Sequence, residues 1–375
     1  MNILISADYG AQTSGNFIAS LIEMGEYIKQ KGDSVVFAFP KPINNKIYSW
    51  VDWLESFGFT VILIDYYNAS ANVVLNQLKN IISKYDINLI HTHFSMFRDV
   101  LIKNRPQFKK TSIIIHDHMD FNAYQSDKVQ RIKFAILSLF YRILNINVIT
   151  VMEFKKSTYV FLKGKRWYIP NGISFRRNVI KSESREECRK RLGIQTNEIL
   201  CLVLGWDAKR KGIDIAIKAV VEYQQNSEHP LVLGVVGFSA NPTEYQLSSL
   251  KQLSGTNATD ARIRYLDNCE DMFAYHRASD IYLSSSRKEA FSYGLLEAIS
   301  QNKPIVVSDI SGTAWSHEYS NCFIYPVEDA EACAKTLYSA YNESNPATNT
   351  DVFLEKYDIH KWCEKVYNVY KTIES

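Results

Sequence analysis

The chain has 375 residues, 46% hydrophobic and 22% charged, with a net charge of +3. That length suits two domains better than one, and the balance of apolar and charged residues excludes a disordered chain. An apolar run at 134–141 is too short to span a bilayer, the N-terminus has no basic start or apolar region of a secretory leader, and six cysteines without CxxC spacing suggest free thiols in a reducing cytoplasm.

In chain order, residues 2–6 read as a strand, followed by a loop holding Ser14 and Gly15 and a helix over 16–30. A strand at 34–39, a helix at 47–57, a strand at 60–65 and a helix at 72–85 follow. Strands at 88–92 and 112–115, a helix at 127–144 and a strand at 148–151 complete the first series. Gly32 and Gly58 stand where helices end. The turn Pro170-Asn171-Gly172 opens a second series. Residues 181–191 look like a solvated connector or a short helix. Strands are expected at 199–204, 231–236, 263–266, 281–284 and 304–308. Helices are expected at 213–225, 243–253, 271–278, 330–341 and 359–373. Apolar, β-branched strands alternating with helices predict parallel, doubly wound sheets. Two such layers in series predict two Rossmann-like domains facing a central cleft. The expected bounds are 1–178 and 179–358, with the final helix, about 359–375, packing back on the first domain.

Three groups of residues carry candidate chemistry. The first is Glu289-Ala290-Phe291-Ser292-Tyr293-Gly294-Leu295-Leu296-Glu297, between an apolar strand and a helix. Ser292 and Gly294 fall at the helix start, where amides without intrahelical partners and the helix dipole favour an anion. Glu289 and Glu297 would flank that seat as hydroxyl acceptors, as a nucleotide-sugar requires. The second group is Gly205-Trp206-Asp207-Ala208-Lys209-Arg210-Lys211-Gly212, also between a strand and a helix. Arg210 and Lys211 could neutralise a diphosphate; a basic surface turn would read the same way. The third is a pair of HxH patterns at strand ends, His91/His93 and His116/His118, near Asp117 and Asp120. Packing, substrate contact and a hydrolytic metal site all fit that pattern. Gly15, outside any GxGxxG fingerprint, is a weaker candidate for close approach to a ligand.

The order and spacing of Gly205, Lys211-Gly212, Glu289, Phe291, Gly294 and Glu297, followed by Pro304-Ile305-Val306-Val307-Ser308, resemble the retaining GT-B glycosyltransferases of family 4, the glycosyl transferases group 1. The resemblance runs from the Ser14-Gly15 loop to the final helix. It implies an α/β GT-B fold and a nucleotide-sugar donor, with a UDP-sugar expected. Glu289 would meet donor sugar hydroxyls, and Glu297 the ribose. The backbone of Phe291, Ser292, Tyr293, Gly294 and Leu295 would meet the sugar and diphosphate. Lys211 would bind phosphate, His118 would lie near the donor sugar and Gly15 by the phosphates; Gly205 is a further donor-binding candidate, and with Gly212 it would allow tight turning. Three positions depart from the family pattern. Trp206 stands where Arg is frequent, so Arg210 is expected to supply that charge; Ala290 replaces a glycine, and Met152 a serine.

The resemblance implies a metal-independent transferase without cofactor, moving a sugar to a glycan or lipid-linked acceptor in surface polysaccharide or glycolipid assembly. The alternatives are a metal-dependent hydrolase using the four histidines and a non-catalytic nucleotide-sugar-binding protein. Charge adds a further expectation. Residues 1–180 hold 22 Lys and Arg against 13 Asp and Glu, and residues 181–375 hold 21 against 27. The basic half, including Lys103, Arg105, Lys109, Lys110, Lys155, Lys156, Lys163, Lys165, Arg166, Arg176 and Arg177, suggests an anionic partner. A membrane surface is the candidate, with the helix at 127–144 and its Lys128, Arg131, Lys133 and Arg142 lying on it. The protein is then cytoplasmic, peripheral on the inner face of the plasma membrane. No motif accompanies the charge that would suggest nucleic acid.

Overall fold

The computed structural model describes all residues except 44–46, 95, 120–127, 154–164, 206, 256–259, 261, 344–349 and 375. Asp120, Trp206, Lys155, Lys156, Lys163 and the first residue of the helix expected at 127–144 lie outside the described residues. The chain forms two compact units, Met1–Asn178 with Tyr357–Ser375, and Val179–Lys356.

In unit 1 the order is β1 (Asn2–Ala7), α1 (Gly15–Gln30), β2 (Ser34–Pro40), α2 (Ser49–Ser56), β3 (Thr60–Ile64), α3 (Ala71–Lys84), β4 (Leu89–His93), α4 (Met96–Lys103), β5 (Ser112–Asp117), α5 (Lys128–Ile143), β6 (Ile146–Thr150) and β7 (Arg166–Tyr168). Unit 2 continues with α6 (Arg185–Arg191), β8 (Ile199–Leu204), α7 (Ile213–Gln225), β9 (Leu231–Val236), α8 (Glu244–Ser254), β10 (Ile263–Leu266) and α9 (Met272–Ala278). It ends with β11 (Ile281–Ser284), α10 (Tyr293–Ser300), β12 (Ile305–Asp309), β13 (Cys322–Pro326), α11 (Ala330–Asn342) and α12 (Thr350–Lys356). The chain then re-enters unit 1 as α13 (Ile359–Glu374).

Both sheets are parallel. Unit 1 runs β3-β2-β1-β4-β5-β6-β7 and unit 2 runs β10-β9-β8-β11-β12-β13. Each therefore reverses direction once, between β1 and β4 and between β8 and β11. Crevices at such reversals, outside the carboxyl ends of the strands, are where open α/β sheets bind ligands. The strands are apolar on both faces because helices cover both. Leu200, Cys201 and Leu202 in β8 and Leu231 and Leu233 in β9 are fully buried.

α4, β7, β13 and α12 are elements the sequence reading did not contain. The stretch at 181–191 is a helix in part, and its solvation is a point to correct. A capping box, Ser184 with Glu187, starts α6. Arg189 is buried, its guanidinium donating to the carbonyls of Ala278, Gln195 and Glu198 and to Asp280. The positive charge serves to satisfy buried carbonyls.

α13 docks on unit 1 through specific contacts. The Ile173 amide donates to the Tyr357 carbonyl at 2.8 Å, and Tyr367 donates to Asp33 at 2.6 Å. Gly172 lies against Trp362 so closely that a Cβ would stand 2.7 Å from the Trp362 Cβ and 3.2 Å from the Ile359 backbone. Neither atom can swing away. Gly172→Ala is therefore expected to cost about 1–3 kcal/mol through overpacking, read as a lower denaturant midpoint, while a control on the exposed face of α13, Lys365→Ala, leaves it nearly unchanged.

Candidate active site

In unit 2 the loops after β8 and β11 meet at the sheet's reversal, since those strands are neighbours with Ile281 opposite Cys201. After β8 the chain turns through residues 207–212 into α7. Gly212 caps that helix in the left-handed region at φ 63°, and a Cβ there would lie 1.9 Å from the Ser285 carbonyl oxygen. Both facts demand glycine. Gly205 serves a different purpose from the tight turn expected of it. A Cβ would fall 2.1 Å from the Ile213 side chain, so its bareness lets α7 pack on β8.

The turn brings Arg210 and Lys211 to Glu289. The Lys211 ammonium hydrogen-bonds Glu289 Oε1, Ser286 Oγ donates to the same oxygen at 3.1 Å, and Arg210 Nη1 stands 3.4 Å away. Arg210 also reaches Asp207 Oδ2 at 3.3 Å. Burial would push the Glu289 carboxyl up; the charges of Lys211 and Arg210, with the hydrogen bonds from Lys211 and Ser286, outweigh it and hold the group below its ordinary value. Glu289 is thus an anion at neutral pH. The expected phosphate cations and the expected sugar carboxylate are partners of one another.

α10 begins beside this pair. Ser292 is its N-cap, with Oγ accepting from the Leu295 amide at 3.3 Å. Gly294 lies in the first turn, where amides have no intrahelical partner. A Cβ on it would strike Leu204 at 2.4 Å and the Tyr282 hydroxyl at 2.6 Å, so this glycine brings the helix end close to β8. Phe291 is buried and stacks on Trp315 with centroids 4.4 Å apart. Glu297, one turn further, is buried with Oε2 3.5 Å from His276 Nε2. His276 had no signal in the sequence.

Other supporting residues were equally silent. Arg287 grips Asp214 at 2.7 and 2.8 Å, Glu328 at 2.8 Å and the Lys209 carbonyl at 2.7 Å. Its own amide donates to the Arg210 carbonyl at 2.8 Å. Ser285 Oγ donates to the Lys211 carbonyl, and Ser308 Oγ to the Ser286 carbonyl. A Cβ on Gly312 would lie 1.8 Å from the Glu289 carbonyl oxygen. These contacts fix the cationic turn and the Glu289 loop against each other.

In unit 1, Gly15 opens α1 at φ 54°. The histidines line the ends of β4 and β5. His91 Nδ1 contacts the Tyr370 hydroxyl at 2.6 Å, His91 Nε2 meets His116 Nδ1 at 3.1 Å, and His93 Nδ1 meets His118 Nε2 at 3.0 Å. Nitrogens of His91, His93 and His116 lie within 4.8 Å of one another. A hydrolytic metal needs an open position for water and substrate. These three rings have no more than 1% exposure, which leaves no open position; four of their six nitrogens have hydrogen-bonding partners, and His93 Nε2 and His116 Nε2 have none among the described residues. The arrangement fits a packed, neutral relay better than a hydrolytic centre. Burial lowers all four histidines, His91 and His118 to about 3. His118 is the half-buried, outermost member.

The model of the family described as glycosyl transferases group 1 matches residues 184–351. Lipopolysaccharide glucosyltransferase WaaG of Escherichia coli (strain K12) is 29% identical over 139 residues, 37% of this chain and about a third of that relative's length, 36%. Alpha-monoglucosyldiacylglycerol synthase of Acholeplasma laidlawii is 23% identical over 77% of this chain and 76% of its own. A glycosyltransferase from Rickettsia africae ESF-5 superimposes with TM-score 0.76 at 18% identity, covering 100% of this chain and 98% of that one. Anabaena Alr3699/HepE in complex with UDP and glucose does so with TM-score 0.75 at 14% identity, covering 99% and 100%. The protein thus has the GT-B fold, and its second unit belongs to the glycosyl transferases group 1.

Two predictions follow from these contacts. Lys211→Met leaves a buried carboxylate without its main partner and is expected to cost about 3–5 kcal/mol. Adding Glu289→Gln should restore part of that loss, a coupling that a double-mutant denaturation cycle reads. The histidines act in the opposite pH direction from a salt-bridged base. Their folded values lie below the unfolded value of about 6.5, so the unfolded chain binds more protons below it. Stability is full above about pH 6.5 and falls as pH drops toward 5, where few other side chains titrate. A denaturant midpoint constant across that window would contradict the relay.

Proposed function

We propose that the protein is a retaining glycosyltransferase, moving a sugar from a nucleotide-sugar, expected to be a UDP-sugar, to a hydroxyl of a glycan or lipid-linked acceptor. The setting proposed is surface polysaccharide or glycolipid assembly, in the cytoplasm. One observation carries the reading: Lys211 and Arg210 converge on Glu289 at the reversal of the unit 2 sheet, beside the first turn of α10. The names of the relatives support it, one a lipopolysaccharide glucosyltransferase and one a glucosyldiacylglycerol synthase. UDP complexes of a structural neighbour favour the choice of base.

The demanding step is departure of the nucleoside diphosphate. Charge accumulates on its phosphate, and Lys211, Arg210 and the first-turn amides of α10 are the preorganised donors available to stabilise it. A phosphate arriving at Lys211 takes over a cation that Glu289 otherwise holds. That exchange frees the Glu289 carboxylate to accept from donor sugar hydroxyls and to face the positive charge developing on the ring. Glu297 receives the ribose hydroxyls. His118 takes the role the resemblance gives it, contact with the donor sugar. Retention follows if the acceptor attacks from the leaving-group face, its proton passing to the departing phosphate. Cationic side chains here do the work a divalent ion does elsewhere, so no metal is required by this scheme.

Lys211→Ala is expected to lower transfer about a hundredfold or more, since one preorganised donor is usually worth about 3–4 kcal/mol, and Glu289→Ala roughly tenfold or more. Circular dichroism checks that both remain folded. Near-normal turnover in both would reject the assignment. A thermal-shift panel of UDP-, GDP- and ADP-sugars identifies the donor, since a ligand at a hundred times its Kd stabilises by about 2.7 kcal/mol. The anomeric configuration of the product, read by NMR, tests retention. Transfer that persists in chelator tests metal independence, and donor binding without transfer to any acceptor would favour a binding protein.

A further inference from the structure

The geometry points to α5 as an interfacial helix that seats unit 1 on an anionic lipid surface. Successive residues step about 100° round a helix axis. On α5 that step places Phe134, Ser138 and Tyr141 together, and all three are buried. Directly opposite lie Ile132, Ile136, Leu139, Phe140 and Ile143, between 41% and 68% exposed. An ordinary surface helix is polar on its outer face. This one is apolar on the face it buries and apolar again on the face it exposes.

Charge decides what covers that outer row. Lys128, Arg131 and Arg142 border it on one side and Lys133 on the other, all exposed. α5 contains no acidic residue. Long basic side chains flanking an apolar row suit a bilayer interface, where stems lie among the acyl chains and the heads reach anionic phosphates. Unit 1 as a whole holds 25 Lys and Arg against 16 Asp and Glu. Pairing with α5 of a second copy would set two basic borders against each other. No helix among the described residues is long and apolar enough to cross a membrane, so the proposed contact is peripheral. The inference gives the proposed transfer a surface on which a lipid-linked acceptor is presented, yet it does not rest on that transfer.

Flotation of the full chain with vesicles tests it without turnover. The protein should rise with phosphatidylcholine–phosphatidylglycerol vesicles at low salt and bind about tenfold less to phosphatidylcholine alone or at high salt. Ile136→Gln with Phe140→Gln should lose binding by about tenfold or more. Lys128→Glu with Lys133→Glu should lose the preference for phosphatidylglycerol. Both pairs are on the surface, and both variants should keep the wild-type melting temperature and donor-induced thermal shift; if one unfolds, the other carries the test. Wild-type protein that stays at the bottom with the anionic vesicles at low salt overturns the proposal. So does an apolar-row variant that floats like the wild type, or a dimer that this variant dissolves while vesicles do not bind.

Discussion

A buried carboxylate held by a lysine organises the second unit. Glu289 follows β11, Lys211 precedes α7, and their contact ties together the two loops that meet at the sheet's reversal. Removing both charges from water costs several kcal/mol per ion before attraction returns any of it. An apolar pair could pack there at less expense. The ionic pair has a property that an apolar pair lacks: each half can be reclaimed by a ligand. In the proposed reaction a phosphate would replace Glu289 at Lys211, and sugar hydroxyls would replace Lys211 at Glu289. The desolvation cost is borne at folding, so less reorganisation remains when a donor binds.

Such a pair is useful only if its two loops stay put. Arg287 holds the turn at 207–212 from outside, through Asp214, Glu328 and two backbone contacts. Ser285, Ser286 and Ser308 stitch the same loops with neutral hydrogen bonds. Thr313 then bonds the Ser308 carbonyl at 2.7 Å, and bare Gly312 lets that segment lie on the Glu289 backbone. Charged contacts lie at the centre and at the rim, with neutral bonds between. The site's shape thereby depends on the rim and on the neutral bonds, while the charge at its centre rests on Glu289, Lys211 and Arg210.

The parts of this arrangement legible in the sequence are those carried by local pattern. β8, β9 and β11 are largely apolar runs, β10 (Ile-Arg-Tyr-Leu) is partly so, and their ends are readable to the residue. Glu289 and Glu297 stand out by spacing around a helix start, and Lys211 by its place after a strand. β7 escaped because Arg-Trp-Tyr is only three residues long, and β13 because Cys-Phe-Ile-Tyr-Pro is a half-exposed run ending in proline. α12 is a single helix of seven residues, too short for an apolar period to show. Arg287, Gly312, Thr313 and His276 act through partners up to 78 residues away or through space alone, which no local window reveals. Arg189 misled for the same reason: its charge looks solvated until the carbonyls of Ala278, Gln195 and Glu198 surround it.

The return of the chain to unit 1 has a consequence for folding. Val179–Lys356 intervenes before the residues that complete the first unit. Until α13 arrives, His91 Nδ1 lacks the Tyr370 hydroxyl and the Ile173 amide lacks the Tyr357 carbonyl. The helix also supplies Trp362, Cys363, Val366 and Tyr370 to the core, nearly or fully buried. Buried polar groups without partners cost about 1–3 kcal/mol each, and the missing apolar contacts add to that. Unit 2, by contrast, is continuous in sequence. On the ribosome it can close as soon as residue 356 has emerged, whereas unit 1, though made first, must wait for the last helix. Contacts of such long sequence separation slow folding through loop-closure entropy. Unit 1 thus reaches its final packing only with α13, and the His91–Tyr370 contact forms only in that step.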